Sequence, residues 1–328
     1  MNHLDFPKDE KLMQVSDDYE KTYTQLLPMY IANSRPSMDT LKTYQILIDK
    51  FIRWCHDHKR HSLFTTDDIA RYYIHTQFAT KNASASTMAV NTIALRTYFE
   101  IAYLRKLIEI NPFQNIHVAA SFHPDEDFFF LQTDQIGDLL KACEEEPDGF
   151  TRARSRTMVM LMGIEGLRRV EIHRMNDADI DWTFQKKIRI QGKGHDGYIY
   201  PCDDTLQSIQ TYQYLRDKLL KEEDVHINHT GGVPLFISLC HRTLGHRISR
   251  RGINHIIDTI LKRANYKTHG ASCHMLRHSC ATNLYALTKD LRLIQETLRQ
   301  SDPKMAARYA HKHDRMTRRY TGGIVPKD

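Results

Sequence analysis

The run His274-Met275-Leu276-Arg277-His278 carries the residue types best suited to chemistry in this 328-residue chain. On a helix, positions i, i+3 and i+4 share a face, so His274, Arg277 and His278 can address one target together. A guanidinium that keeps its charge, beside imidazoles that titrate near neutrality, suits a phosphate ester that is being broken. The same stretch offers a rival chemistry. Cys273, His274, His278 and Cys280 include a histidine pair at metal-ligand spacing. Against it, Cys273 lies roughly 100° around the helix from His274, Arg277 would repel a cation, and the glutamate of a metalloprotease helix is missing. A metal-free phosphate site is the better reading, and neither metal nor cofactor is expected.

Cleaving a phosphodiester without a metal needs cations on the non-bridging oxygens, a nucleophile, a base for its proton and an acid for the leaving oxygen. Paired arginines are the best non-metal grip, because their planar forks bond oxygens bidentately. Four further segments supply such groups: Gly166-Leu167-Arg168-Arg169-Val170-Glu171, then Gly192-Lys193-Gly194, then Leu298-Arg299-Gln300-Ser301, then Tyr309, which follows Gln300 by nine residues. In this order and spacing, together with the histidine-arginine run, they resemble the tyrosine recombinase (phage integrase) family, over residues 18 to 315.

The resemblance implies roles. Arg168, Arg277 and Gln300 would stabilise the transition state at phosphorus, and His274 would assist proton loss from the nucleophile Tyr309. Lys193, on a hairpin, would protonate the departing 5′ oxygen. Glu171 and His278 would support the site. Tyr320 comes too late after Gln300 to be the nucleophile, and Tyr285 reads as core. Two departures stand out. Gln300 replaces the family's usual histidine (tryptophan in some members), and its amide donates a hydrogen bond but cannot exchange a proton near neutrality. Beside it Arg299 replaces a glycine, and the second departure is Tyr198, where an arginine often follows the lysine turn.

The elements that must position these groups are mainly helical, with a small antiparallel β-sheet. Helical periodicity begins at Asp18, with Tyr19, Tyr23, Leu26 and Leu27 on one face. Residues 1–17 are polar and aperiodic and are expected as a flexible arm. A second helix follows Pro36. Thr65-Thr66-Asp67-Asp68 and Ser84-Ala85-Ser86-Thr87 offer N-caps for a third and a fourth, and Asn111-Pro112 should end the fourth. Residues 18–118 thus form a helical domain, the DNA-clamping core-binding domain by resemblance. Residues 119–127, aperiodic and holding Pro124, read as the linker. Residues 128–328 form a mixed α/β catalytic domain, with 310–328 as its tail. There, 128–131 reads as a short extended segment. The period switches from helical to alternating at 180–182, 187–190 and 198–200, and helices return at 204–222, 249–264, 273–287, 290–299 and 302–309.

Composition limits the alternatives. Lys and Arg number 46 against 40 Asp and Glu, a net +6 that favours nucleic acid only weakly until clustering is considered. Lys81, Asn91 and Arg96 in the first domain, and Arg242, Arg247, Arg250 and Arg251 in the second, are the candidate DNA contacts. Six cysteines without a CxxC pair suggest reduced thiols. With no signal-peptide pattern and no apolar run long enough for a bilayer, a cytoplasmic protein without membrane association is expected. The resemblance implies a homotetramer on double-stranded DNA with inverted-repeat-like sites, serving integration, excision or resolution of a mobile element. A sequence-specific DNA-binding protein with a weakened or inactive site is the principal alternative. A type IB topoisomerase and a zinc hydrolase are the others.

Overall fold

The structure, a computed structural model, describes residues 10–31, 38–117, 128–191, 196–225, 231–268, 270–300 and 302–317. The chain divides into two units, Met1–Phe122 and His123–Asp328. The expected linker at 119–127 and the turn holding Lys193 lie outside the described residues.

The first unit contains α1 (Glu10–Tyr30), α2 (Met38–Asp57), α3 (Asp67–Ile74) and α4 (Ala85–Leu104). Thr66 and Ser84 cap α3 and α4 through their side-chain oxygens, which satisfies N–H groups that a helix start leaves unpaired. Aromatic rings fill the core. Phe51 of α2 meets Tyr73, Phe99 and Phe113 edge-on at centroid distances of 4.8, 5.8 and 5.7 Å, the arrangement that ring quadrupoles favour. Two boundaries differ from the sequence reading. Helix α1 begins by Glu10 rather than Asp18, because Ser16 is buried and Asp17 bonds His61, fixing residues that look like an arm in isolation. Helix α4 stops at Leu104 rather than near Asn111, since Lys106 turns left-handed at φ 59°.

The second unit is built around α6 (Gly149–Gly163), which is buried along most of its length and packs against α5 (Thr133–Cys143), α8 (Asp203–Glu222), α9 (Arg250–Arg263) and α10 (Cys273–Thr288). Helix α7 (Arg169–Arg174) leads into β1 (Ile180–Asp181), β2 (Lys187–Ile190) and β3 (Gly197–Ile199). These strands form one antiparallel sheet in sequential order, with Ile180 opposite Ile188 and Ile188 opposite Ile199. Alternation sends those isoleucines inward and Arg189 and Tyr198 outward. Residues 128–131 form no strand, because the backbone of Leu131 bonds the side chains of Ser279 and Asn283 on α10 instead. Helices α11 (Leu291–Thr297) and α12 (Pro303–Thr317) close the chain, so residues 310–317 of the expected tail are helical. Cys280, Ala281, Tyr285, Ile294, Leu298, Ala306 and Tyr309 make a small apolar cluster of their own. Among the described residues, no helix is long and apolar enough to cross a membrane.

One buried charge ties α8 to the segment after the sheet. Arg216, 2% exposed, holds both Asp177 oxygens at 2.8 Å and also donates to the carbonyls of Pro234 and Leu235. Removing Arg216 would take a donor from the buried Pro234 and Leu235 carbonyls and leave Asp177, 28% exposed, with Gln213 as a remaining partner. Arg216→Met should therefore cost about 2 kcal/mol in urea unfolding; a loss within experimental error would show that the network is dispensable.

Candidate active site

The site begins with a backbone constraint. Gly166 sits at φ +70°, and a Cβ there would meet Leu298 Cδ2 at 2.6 Å and Cys280 Sγ at 3.0 Å. Only glycine tolerates both the conformation and the close approach. The turn delivers Arg168 to the N-cap of α7. There Glu171, three residues on, accepts the Arg168 backbone N–H at 2.7 Å and its Nη1 at 2.9 Å. The Arg168 side chain stays 37% exposed.

Arg277 comes from α10 and is 4% exposed. It donates from Nη1 to the Gly166 carbonyl at 2.5 Å and from Nη2 to the Leu298 carbonyl at 2.6 Å. Burial, and then the nearby Arg168, push its acidity constant down to about 10, so it remains a cation at neutral pH. Glu171 lies 3.9 Å from Arg277 Nη1 and also accepts from Arg299 Nη2 at 2.9 Å. Burial alone would raise the Glu171 carboxyl. Arg299, the Arg168 N–H, Arg168 and Arg277 outweigh it and hold the carboxyl below its ordinary range. One carboxylate among three guanidiniums leaves an excess of positive charge, the field a phosphate requires.

Arg299, which the sequence reading noted only as a departure, therefore belongs to this network. Its φ of 52° is left-handed, the conformation a glycine would adopt without strain. Its guanidinium offsets the cost by bonding Glu171 and the Thr297 carbonyl. Its side chain also rests on β3: a Cβ on Gly197 would lie 3.0 Å from Arg299 Cδ. The signal in the sequence was a non-glycine residue where the resembled pattern has a glycine. Next to it, the Gln300 backbone N–H bonds the Gln295 carbonyl, while its Oε1 is buried without a hydrogen-bond partner among the described residues.

Tyr309, on α12, is 2% exposed. Its hydroxyl lies 3.2 Å from His278 Nδ1, and its ring meets Phe128 edge-on at 5.6 Å. The imidazole paired with the hydroxyl is thus His278, not His274, one turn earlier on α10. Burial, then His274, Arg308 and Arg277, push His278 down to about 4, so it is neutral at pH 7 and able to accept a proton. His274 is exposed, yet partial loss of its water shell, followed by Arg169, Arg277 and Arg168, also lowers it.

Several sequence candidates fall elsewhere. Asn91 is buried and donates to the Thr87 carbonyl within α4. Arg96 donates to the carbonyls of Phe113 and Ile116, closing the turn after α4. Arg247 straps the carbonyls of His173 and Met175 and the Asn176 side chain. In this structure these three side chains bond the protein's own backbone and Asn176. Lys81, Arg242, Arg250 and Arg251 are exposed. The rival zinc set does not assemble, since Cys273 Sγ bonds Asn254 on α9 and Cys280 Sγ bonds the Ile164 carbonyl. Burial raises both thiols, to about 11 and about 12, away from the thiolate a metal needs.

Comparison with known proteins bears on the whole chain. Residues 130–316 match the model of the phage integrase family, and residues 24–109 match that of the phage integrase N-terminal SAM-like domain. Tyrosine recombinase XerC of Bacillus subtilis is 27% identical over 246 residues, covering 73% of this chain and 74% of the relative. Among solved structures, XerH site-specific recombinase bound to a palindromic difH substrate, in a post-cleavage complex, has a TM-score of 0.65 at 18% identity, covering 97% of this chain and 89% of that one. A lambda integrase tetramer bound to a Holliday junction has a TM-score of 0.61 at 17% identity, covering 93% and 81%. These likenesses bear out the mainly helical fold with its small sheet.

The lowered His278 has a consequence for stability. Between about pH 4 and the ordinary histidine range near 6.5, the unfolded chain binds a proton that the folded chain does not. Stability therefore rises with pH through that window and is lost as pH falls through it. In thermal unfolding at pH 5 and pH 7, His278→Asn should narrow the gap between the two midpoints. An unchanged gap would mean that His278 titrates normally.

Proposed function

The chain belongs to the phage integrase family, and we propose that it is a site-specific DNA recombinase using Tyr309 as nucleophile. The observation that carries this is the convergence of Arg168, partly exposed, and Arg277, joined through Glu171, in the same unit as a tyrosine hydroxyl already paired with an imidazole. The two guanidiniums would hold the non-bridging oxygens of the scissile phosphate, and the Gln300 amide would add a donor. Tyr309 Oη would form a bond to phosphorus while the bond from phosphorus to the 5′ oxygen breaks. The phenol proton would pass to a neutral imidazole, that of His278 in the arrangement described and that of His274 once the tyrosine has moved to the phosphate. Lys193 would give a proton to the 5′ oxygen.

The 3′-phosphotyrosyl ester retains the energy of the broken bond, so the 5′ hydroxyl of a second strand can reverse the step without an external energy source. The arrangement on DNA would be a homotetramer spanning two double-stranded sites with inverted-repeat-like arms and passing through a Holliday junction, as in the lambda integrase complex. Lys81, Arg242, Arg250 and Arg251 are the remaining candidates for phosphate contact. The enzyme would act in the cytoplasm on a mobile element. A second reading, a DNA-binding protein of this fold with a weakened site, draws support from Gln300 alone, whose amide cannot exchange a proton near neutrality.

A nicked duplex carrying the target site, followed by denaturing electrophoresis, tests both readings. The wild-type chain should form a covalent protein–DNA adduct that Tyr309→Phe does not form. An equal adduct in that variant would remove Tyr309 as nucleophile, and binding with no adduct from either would favour the second reading. Gln300→His should raise the cleavage rate by at least about tenfold, a conservative share of the roughly 10²–10⁴ that a positioned acid–base group supplies. No gain would show that the amide already fulfils the role.

A further inference from the structure

Away from the catalytic unit, Glu20 of α1, His56 at the end of α2 and His61 in the turn before α3 bring one ligand atom each to within 4.8 Å of one another. We infer that this cluster is a site for a divalent transition-metal ion, zinc being the best fit, which braces the first unit. His56 Nε2 is 2.8 Å from Glu20 Oε2, and His61 Nδ1 is 3.2 Å from Glu20 Oε1, the other carboxylate oxygen. Around a tetrahedral zinc with bonds of about 2.0–2.1 Å, neighbouring ligand atoms stand roughly 3.3 Å apart, so a small adjustment of the exposed His56 would complete the set from its present limit of 4.8 Å.

The stronger argument is a shortage of protons at His61. This imidazole is 6% exposed and lies between two carboxylates, with Nε2 2.8 Å from Asp17 Oδ1 and Nδ1 facing Glu20. Nδ1 is buried and makes no hydrogen bond. A neutral imidazole has one N–H to give. Given to Asp17, it leaves the Nδ1 lone pair pointing at the lone pairs of Glu20, a repulsive contact that a cation between them turns into two bonds. A carboxylate on the outer nitrogen of a ligating histidine is also the usual means of fixing its tautomer and orientation. Glu20 is oriented in turn, since Oε1 accepts from Ser62 N–H at 3.1 Å and from its hydroxyl at 2.5 Å.

Two imidazoles and a carboxylate select zinc or a similar borderline ion over magnesium or calcium, which prefer all-oxygen shells. The His56 side chain is 54% exposed, so the ion would enter from solvent and keep a coordination position for water. With ligands from α1, α2 and the following turn, its binding energy would add to the folding energy of this unit. The strand-transfer chemistry proposed above does not depend on it.

The test uses the full chain, stripped with a chelator and returned to metal-free buffer. It should bind one more equivalent of Zn²⁺ in calorimetry than His56→Gln, whose exposed side chain can change without disturbing the core. Co²⁺ in its place should give a visible absorption band that His56→Gln and Glu20→Gln both lose. Saturating Zn²⁺ should raise the unfolding midpoint of the first unit by at least about 4 °C in the wild-type chain and not in His56→Gln. Equal stoichiometry in wild type and both variants would overturn the site. So would a wild-type midpoint indifferent to zinc.

Discussion

Arg277 is a charge buried among carbonyls, and the catalytic unit is arranged around satisfying it. Burying an unpaired guanidinium is prohibitive, so the chain must bring oxygens to it. It does so from two distant places: the Gly166 carbonyl ahead of α7 and the Leu298 carbonyl at the end of α11. Each bond fixes a segment that carries another functional group, Arg168 two residues after the first and Gln300 two residues after the second. The cation proposed to hold the phosphate thus assembles its neighbours. A shortened side chain at 277 would lose the grip and the scaffold together, and activity alone would not separate the two.

Glu171 is the counterweight. Three guanidiniums in one small volume repel one another, and one carboxylate that takes N–H groups from Arg168 and Arg299 and lies near Arg277 makes the cluster tolerable. Arg299 accepts a left-handed backbone to reach it and rests against the start of β3. The base of the hairpin that carries Lys193 is therefore in contact with the segment that carries Gln300. A glycine at 299 would relax the backbone and remove that contact.

Much of this was legible because its cause is local. Capping residues at Thr66 and Ser84 mark helix starts, alternation at 187–190 marks a strand, and the i, i+3, i+4 geometry marks the shared face of His274, Arg277 and His278. What was not legible depends on partners far along the chain. Residues 10–17 look like an arm until His61 is set beside Asp17. Asn91, Arg96 and Arg247 have the side chains of DNA contacts, but their hydrogen bonds go to the carbonyls of Thr87, Phe113, Ile116, His173 and Met175. Nor does periodicity separate His274 from His278 as partner of Tyr309. Both lie on one face, and only the path of α12 decides between them.

That path leaves the proposed nucleophile almost wholly out of water, with its hydroxyl on His278 and its ring against Phe128. If Tyr309 is the nucleophile, a group so enclosed would need α12 to shift before any strand is cut. The apolar cluster around Tyr309 is separate from the main core of the unit. On that reading the protein away from DNA would be an idle blade kept in its sheath. Protection of a genome from stray nicks would rest on how firmly one short helix is seated, with no inhibitor needed.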